Sequence, residues 1–275
     1  MKWNRLALVL VVVLAACSKE HEGAWLGYAE GDQAFVAAPL AGWVTDVRIQ
    51  RGDRVKKGDL LFTLDATSQA AARDQAEAAI AQAEGQLGQA TANLELARKQ
   101  IARQQGLMKS GATSQQAFDQ AKMSFDSANA QVAQIQANES QARAGLANAS
   151  YLLSQREVLS LTEGRVQDVY FREGEYVPAM TPVVSVLPPK NVYVRFFVPE
   201  DQFSRIRLGQ KVKIHCDGCG DSIVATIAFI ASKEEYTPPV IYSNQSRGQM
   251  VFKVEARARG GLKLNPGQPV DVDPL

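Results

Sequence analysis

No proline interrupts the chain between Pro39 and Pro178, and that gap constrains the fold more than any other feature. Ala, Gln, Glu, Arg and Lys dominate the interval, all good helix formers. The apolar spacing sets the type of helix. Ala76, Ile80, Ala83, Leu87, Ala90, Leu94, Ala97 and Ile101 follow each other in steps of four and three. A second run repeats the rhythm through Phe118, Ala121, Phe125, Ala128, Val132, Ile135, Glu139, Ala142, Leu146, Ala149 and Leu153, with Glu139 its one polar member. Such spacing, sustained this long, is a coiled-coil seam. Between the runs, Gly111 suits a helix end and Thr113 or Ser114 a helix start, with Thr113 and Gln116 spaced as a capping box. Each arm of about 40 residues would reach about 60 Å. A free parallel dimer or a helical bundle could use the same seam, but the sequences flanking residues 66–156 require the two ends to meet, which selects an antiparallel hairpin.

Residues 1–17 read as a targeting segment. Lys2 and Arg5 form its positive end, Leu6 to Leu14 an apolar run too short to span a bilayer, and Leu14-Ala15-Ala16-Cys17 its close. That ending resembles the lipobox of bacterial lipoproteins, which implies lipidation at Cys17 and export. An ordinary cleaved signal with a chance cysteine is the plainer alternative. Removing Cys17 leaves Cys216 and Cys219, an even number for an oxidising compartment. A formal net charge of +1 gives no reason to expect a nucleic-acid partner, and two histidines argue against histidine-based catalysis or a histidine-rich metal site.

On either side of the helical interval the chain repeats itself. Gly42-Trp43-Val44-Thr45-Asp46-Val47 to Arg51-Gly52-Asp53-Arg54-Val55 matches Gly164-Arg165-Val166-Gln167-Asp168-Val169 to Glu173-Gly174-Glu175-Tyr176-Val177 at a constant offset. Each half reads as strand, glycine turn, strand, followed by a further strand at 60–64 or 182–186. Gly52 and Gly174 are expected at positive φ. Neither half can bury its own apolar face, so the two should form one sandwich. The pattern resembles the biotinyl/lipoyl carrier fold, but Asp65-Ala66-Thr67-Ser68-Gln69 stands where a carrier presents its modified lysine. No cofactor is expected.

Lipoyl halves split by a helical hairpin, behind a lipobox, resemble the HlyD-type periplasmic adaptor (membrane fusion protein) family. The most specific local match is Arg103, Leu107 and Ser114 at the tip, in the Arg–Leu–Ser spacing by which such adaptors engage TolC-like outer-membrane ducts. The residues suit that role, since a tip leucine is an apolar anchor and an arginine can bond carbonyls or carboxylates of a partner. They also suit a bland one, with Leu107 closing the coiled-coil core, Arg103 solvated and Ser114 an N-cap.

After Pro188-Pro189, residues 191–198 alternate as a strand and 199–208 suit a short helix. Further strands are expected at 211–216, 222–231, 249–258 and 261–272, with more from 25–36. Short strands with one small helix suggest a β-barrel, which the resemblance also implies. In His215-Cys216-Asp217-Gly218-Cys219, Asp-Gly at the centre of a two-residue hairpin turn would hold the cysteines close enough for a disulfide. Two reduced thiols are a second reading; a thioredoxin-like redox centre would need to open a helix where the context is strand–turn–strand, and zinc would lack ligands. Glu234 to Ser243, rich in aromatics and proline, resembles a loop of adaptors that work with ABC-type exporters. The short barrel region leaves little material for the extra membrane-proximal domain of RND adaptors, which also favours an ABC-type partner, whereas a lipid anchor is common among RND adaptors.

The expected fold class is therefore α+β multidomain: an antiparallel coiled-coil hairpin inserted in a lipoyl-like sandwich, followed by a β-barrel. The domains are 1–17, signal; 34–65 with 157–187, lipoyl-like; 66–156, hairpin; and 18–33 with 188–275, barrel. The resemblance implies a non-enzymatic periplasmic adaptor, lipid-anchored with the inner membrane preferred, linking an inner-membrane transporter to a TolC-like outer-membrane channel. It also implies self-association, as a hexamer, for which Gly85, Gly88 and Gly145, off the seam, would let hairpins approach. Ser18 resembles an outer-membrane sorting signal, which pulls the other way on the destination membrane. The rival reading is a structural lipoprotein that spaces or tethers membranes through its coiled coil.

Overall fold

A computed structural model of the chain describes residues 24–219, 222–236 and 250–275. Two helices dominate it, α1 (Thr67–Lys109) and α2 (Gln115–Ser154), packed against each other as an antiparallel coiled coil. Every seam position is buried or half-buried, and Ala83, Ala90, Ala97, Val132 and Ile135 are buried. Alanine layers alternate with Leu87 and Leu94, which bury partly against Ala90, Val132 and Ile135. Each fully buried large aliphatic side chain contributes about 1.5–3 kcal/mol, so this thin core depends on its length. The polar seam residue Glu139 is satisfied by Arg143 one turn on, whose guanidinium also lies 3.7 Å from Glu84 of the other helix.

The flanking halves make two four-stranded sheets. The first orders β2 (Ala34–Ala37), β9 (Pro182–Leu187), β7 (Gly164–Val169) and β4 (Arg54–Val55). The second orders β6 (Glu157–Leu159), β5 (Leu60–Leu64), β3 (Gly42–Val47) and β8 (Tyr176–Val177). Each sheet has strands from both halves, so neither half closes alone. The repeat extends to individual bonds. Gly52 N donates to Val166 O as Gly174 N donates to Val44 O, and the Asp53 carboxylate caps Gln50 N as Glu175 caps Arg172 N. Gly52 and Gly174 have φ of 99° and 84°, in the left-handed region that glycine enters cheaply. Between the sheets, Val44, Leu61, Phe62, Val166, Val177, Val183, Val184 and Val186 form the core.

The third body is a closed six-stranded barrel in the order β1 (Trp25–Gly31), β10 (Val192–Pro199), β13 (Met250–Arg257), β12 (Ile223–Tyr236), β11 (Lys211–His215) and β14 (Pro269–Pro274). Alternation along β10 sends Val192, Val194, Phe196 and Val198 inward, where Phe196 stacks on Trp25. The sequence expected a helix at 199–208; the chain forms a 3-10 turn over Glu200–Arg205. It expected a strand over 261–272, but pairing begins only at Pro269. Leu262 and Leu264 still bury in the barrel core, so alternation there serves packing without a ladder. Glu234 to Tyr236, read as loop, extend β12, and residues 237–243 lie outside the described residues. The barrel's exterior is tied by Arg195 of β10, which bridges Glu30 of β1 at 2.7 Å and Glu255 of β13 at 3.0 Å. Beside it, burial and then the Glu30 carboxylate push the Tyr193 phenol well above its usual range, so it stays a donor to Glu30.

Candidate docking tip and hairpin foot

At the tip the turn is built from backbone bonds. Ser110 ends α1, Gly111 takes a φ of 71°, Gly111 N reaches Met108 O at 3.1 Å and Ala112 N reaches Leu107 O at 2.9 Å. This is a Schellman closure, with glycine where a Cβ would be strained. Ser114 is the N-cap of α2, its hydroxyl accepting from Ala117 N at 3.2 Å. The expected capping box from Thr113 to Gln116 does not form, because the Thr113 hydroxyl instead donates 2.7 Å to Gln104 Oε1 on the opposing helix. That bond across the turn ties the two helices together.

Arg103 and Leu107 stand one helical turn apart on one face. Arg103 is exposed and has no hydrogen-bond or ion-pair partner among the described residues. Leu107 is half-buried. Its carbonyl takes the closing bonds of the turn, from Ser110 as well as Ala112, so a substitution of its side chain leaves the turn's bonds in place. Gly85, Gly88 and Gly145 face open space. Cys17, with the whole segment 1–17, lies outside the described residues.

The foot of the hairpin carries residues the sequence did not point to. β5 and β6, which enter and leave the hairpin, are antiparallel neighbours with Phe62 opposite Val158. The Asp65 carboxylate caps α1 through one oxygen, Oδ1, which accepts from Thr67 N at 3.2 Å and the Thr67 hydroxyl at 2.6 Å. The Thr67 hydroxyl first, then its amide, hold the Asp65 carboxyl below its ordinary pKa. Arg156, directly after α2, is buried at 8% exposure. Its Nη1 donates 2.9 Å to Ala41 O, and its Nε has no hydrogen-bond partner. A Cβ at Gly42 would lie 2.7 Å from Arg156 Nη1, so a larger residue there obliges the guanidinium to shift. Nothing local in the sequence signals a contact between positions 41 and 156. On the outer face of the same sheet, Trp43 and Tyr176 are opposed across β3 and β8, their ring centroids 5.3 Å apart edge to face.

In the barrel, Cys216 and Cys219 are joined as a disulfide, with Cα atoms 5.4 Å apart. The turn between them is tight, Cys219 N to Cys216 O, with Gly218 at a φ of 79°. It is not the two-residue hairpin expected, because the β11–β12 ladder stops at Ile214 opposite Ile223, and the cysteines lie beyond it. Among the described residues no group of three or more His, Cys, Asp or Glu could hold a metal, and no helix is long and apolar enough to cross a membrane.

Comparison with known proteins adds four likenesses. A family model described as the RND membrane fusion protein (MFP) alpha-helical hairpin domain matches residues 79–156. By sequence, the chain is 28% identical to the UPF0194 membrane protein in asrC 5'region of Acidithiobacillus ferridurans, over 98% of this chain and 95% of that one. It is 27% identical to the multidrug export protein EmrA of Escherichia coli, over 72% of this chain and 59% of that one. By structure, MacA from Actinobacillus actinomycetemcomitans superposes with a TM-score of 0.72 over 90% of this chain and 76% of that one, at 21% identity, a likeness of fold.

Proposed function

We propose that this chain, a membrane fusion (periplasmic adaptor) protein by its hairpin domain and its relatives, links an inner-membrane transporter to a TolC-like outer-membrane channel in an export system. The observation that carries this reading is the tip. A rigid arm of about 60 Å ends in a turn whose bonds are complete within itself, leaving the Arg103 guanidinium without a partner among the described residues and the Leu107 side chain half-exposed on one face. Leu107 would seat between helices of the channel, and Arg103 would bond its carbonyls or carboxylates. Ser114 would contribute by fixing the start of α2.

The split module and barrel would sit towards the transporter, anchored through a lipid on Cys17 in the inner membrane. Copies would associate side by side, with the open faces at Gly85, Gly88 and Gly145 letting hairpins approach. An ABC-type transporter is the partner we favour, on the stretch from Glu234 to Ser243. The match to hairpins of RND adaptors concerns residues 79–156 alone. Nothing in the proposed role asks the chain to catalyse a reaction; energy and substrate choice would rest with the transporter.

The test is crosslinking in cells from a single cysteine at Leu107, with Cys216 and Cys219 replaced by serine. Adducts with an outer-membrane channel are expected, and a Leu107→Asp variant should lose export while its circular dichroism and unfolding midpoint stay unchanged. Adducts only between copies, with export intact in Leu107→Asp, would overturn the docking role and favour a chain that merely spaces membranes.

A further inference from the structure

The outer face of the β6-β5-β3-β8 sheet combines two features that the adaptor reading does not use. The first is the Trp43–Tyr176 pair, 57% and 52% exposed. Their strand neighbours Val44 and Val177 already fill the core, so the rings are not needed for packing. Two large aromatic residues kept in water on a sheet face mark a contact surface. The second is a crevice of about 510 Å³ between that sheet and the foot of the hairpin, of mixed lining, in which Thr45, Thr63, Asp65 and Arg156 stand beside Leu64 and Leu153. Its volume falls within the ordinary span of small-molecule sites, about 300–1,000 Å³.

Sheet geometry connects the two. Thr45, at an irregularity of the β3–β5 ladder, is exposed like Trp43 while Val44 between them is buried. The Thr45 and Thr63 hydroxyls are 2.8 Å apart and exposed, so each can also bond outward. Thr67 occupies only Oδ1 of Asp65, leaving Oδ2 to accept. Arg156, more than nine-tenths buried, has a ring of donors that Ala41 O does not saturate.

We propose that this face is a carbohydrate-binding site, taking a neutral oligosaccharide of which one pyranose ring stacks on Trp43, with Tyr176 standing edge-on beside it, while its hydroxyls bond Thr45, Thr63 and Asp65. A pyranose presents an apolar C–H face and a rim of hydroxyls that both donate and accept, which matches an aromatic patch beside mixed polar groups. The carboxylates of Asp65 and Glu157 repel an anion. A lipid chain would ask for a continuous apolar floor, which Thr45, Thr63, Asp65 and Glu157 interrupt here. The site stands independently of whether the tip docks on a channel.

The purified full chain is titrated with chitotetraose and, separately, cellotetraose, following tryptophan fluorescence and saturation-transfer NMR. Of the other two tryptophans, Trp25 is buried at 2% and Trp3 is replaced by phenylalanine for the titration, so neither masks the response of Trp43. Saturable binding with a Kd of about 1 mM or below is expected for at least one sugar. Trp43→Ala should weaken it at least tenfold and Thr45→Val with Thr63→Val severalfold, while Trp43→Phe, which keeps a ring and the fold, retains most of it. No saturable response to either sugar up to about 10 mM would overturn the proposal. So would a Trp43 signal that follows protein concentration alone, with association in sedimentation, since a second copy would then cover the face. Leu107→Asp should leave the titration unchanged, which separates this site from the docking tip.

Discussion

Replacing Met180 by glycine should stabilise the split module although it deletes an entire side chain. Met180 is the only non-glycine residue among the described residues with a positive φ, 62°, and its side chain is 78% exposed. It stands where the internal repeat places Gly58, whose φ is 94°. The two positions make matching bonds, Met180 N to Ala38 O and Gly58 N to Ser160 O, each 2.8 Å. The left-handed conformation costs an L-residue about 1–2 kcal/mol. Glycine gives back about 0.5–1 kcal/mol through its freer unfolded state. With little side-chain burial to lose, Met180→Gly should gain about 0.5–1 kcal/mol net. The twin supplies the control. A Cβ at Gly58 would meet nothing within 4 Å, so Gly58→Ala has only the backbone cost and should lose about 1 kcal/mol. The assay is urea unfolding read by tryptophan fluorescence, with hydrogen exchange at Val183 and Val184 reporting on the module core. A loss of stability in Met180→Gly would show that the exposed thioether holds something the conformation does not. An unchanged Gly58→Ala would refute backbone strain as the deciding quantity.

Three further outcomes follow from the same geometry. Gly42→Ala should cost about 1 kcal/mol, the low end for overpacking since the crowded guanidinium end can shift, and most of that cost should vanish in an Arg156→Ala background, a coupling that a double-mutant cycle in urea measures directly. Replacing Cys216 and Cys219 together by serine should destabilise the barrel by about 2 kcal/mol, the chain-entropy value for so short a closed loop, and a reductant should lower the calorimetric midpoint of the parent chain but not of the variant. Because Thr67 depresses the Asp65 pKa, that cap stabilises α1 above the unfolded carboxylate value and loses its effect as pH falls through the lower folded value. The protection factors of the amides at residues 67–70, taken relative to the slower intrinsic exchange in acid, should therefore fall below about pH 4, and Asp65→Asn should flatten the response.

The coiled coil was the most legible part of the chain, because burial in a two-helix seam depends only on position in the heptad. Every residue assigned to it, including Glu139, is at a reduced exposure. The two halves were legible as a repeat, but the interleaving of their strands was not, since a repeat states likeness and not pairing. Local signals misled where a longer-range partner won. Thr113 had the spacing of a capping box, yet Gln104 captured its hydroxyl. Asp217-Gly218 turned the chain as such a pair should, but outside the ladder. Arg156 was invisible for the opposite reason. A lone arginine at a helix end reads as solvated, and only closure of β5 on β6 places it under Ala41. Exposure of Trp43 and Tyr176 was likewise unreadable, because aromatic residues in strands ordinarily face a core.

Since β5 and β6 are adjacent strands, the two helices are, to the sandwich, one long excursion between neighbours. Removing seven residues from each arm at the same level would preserve the seam's phase and the sandwich's closure, and shorten the projection by about 10 Å. The chain thus holds its span as a quantity adjustable in steps, set by the number of heptads and independent of everything at either end.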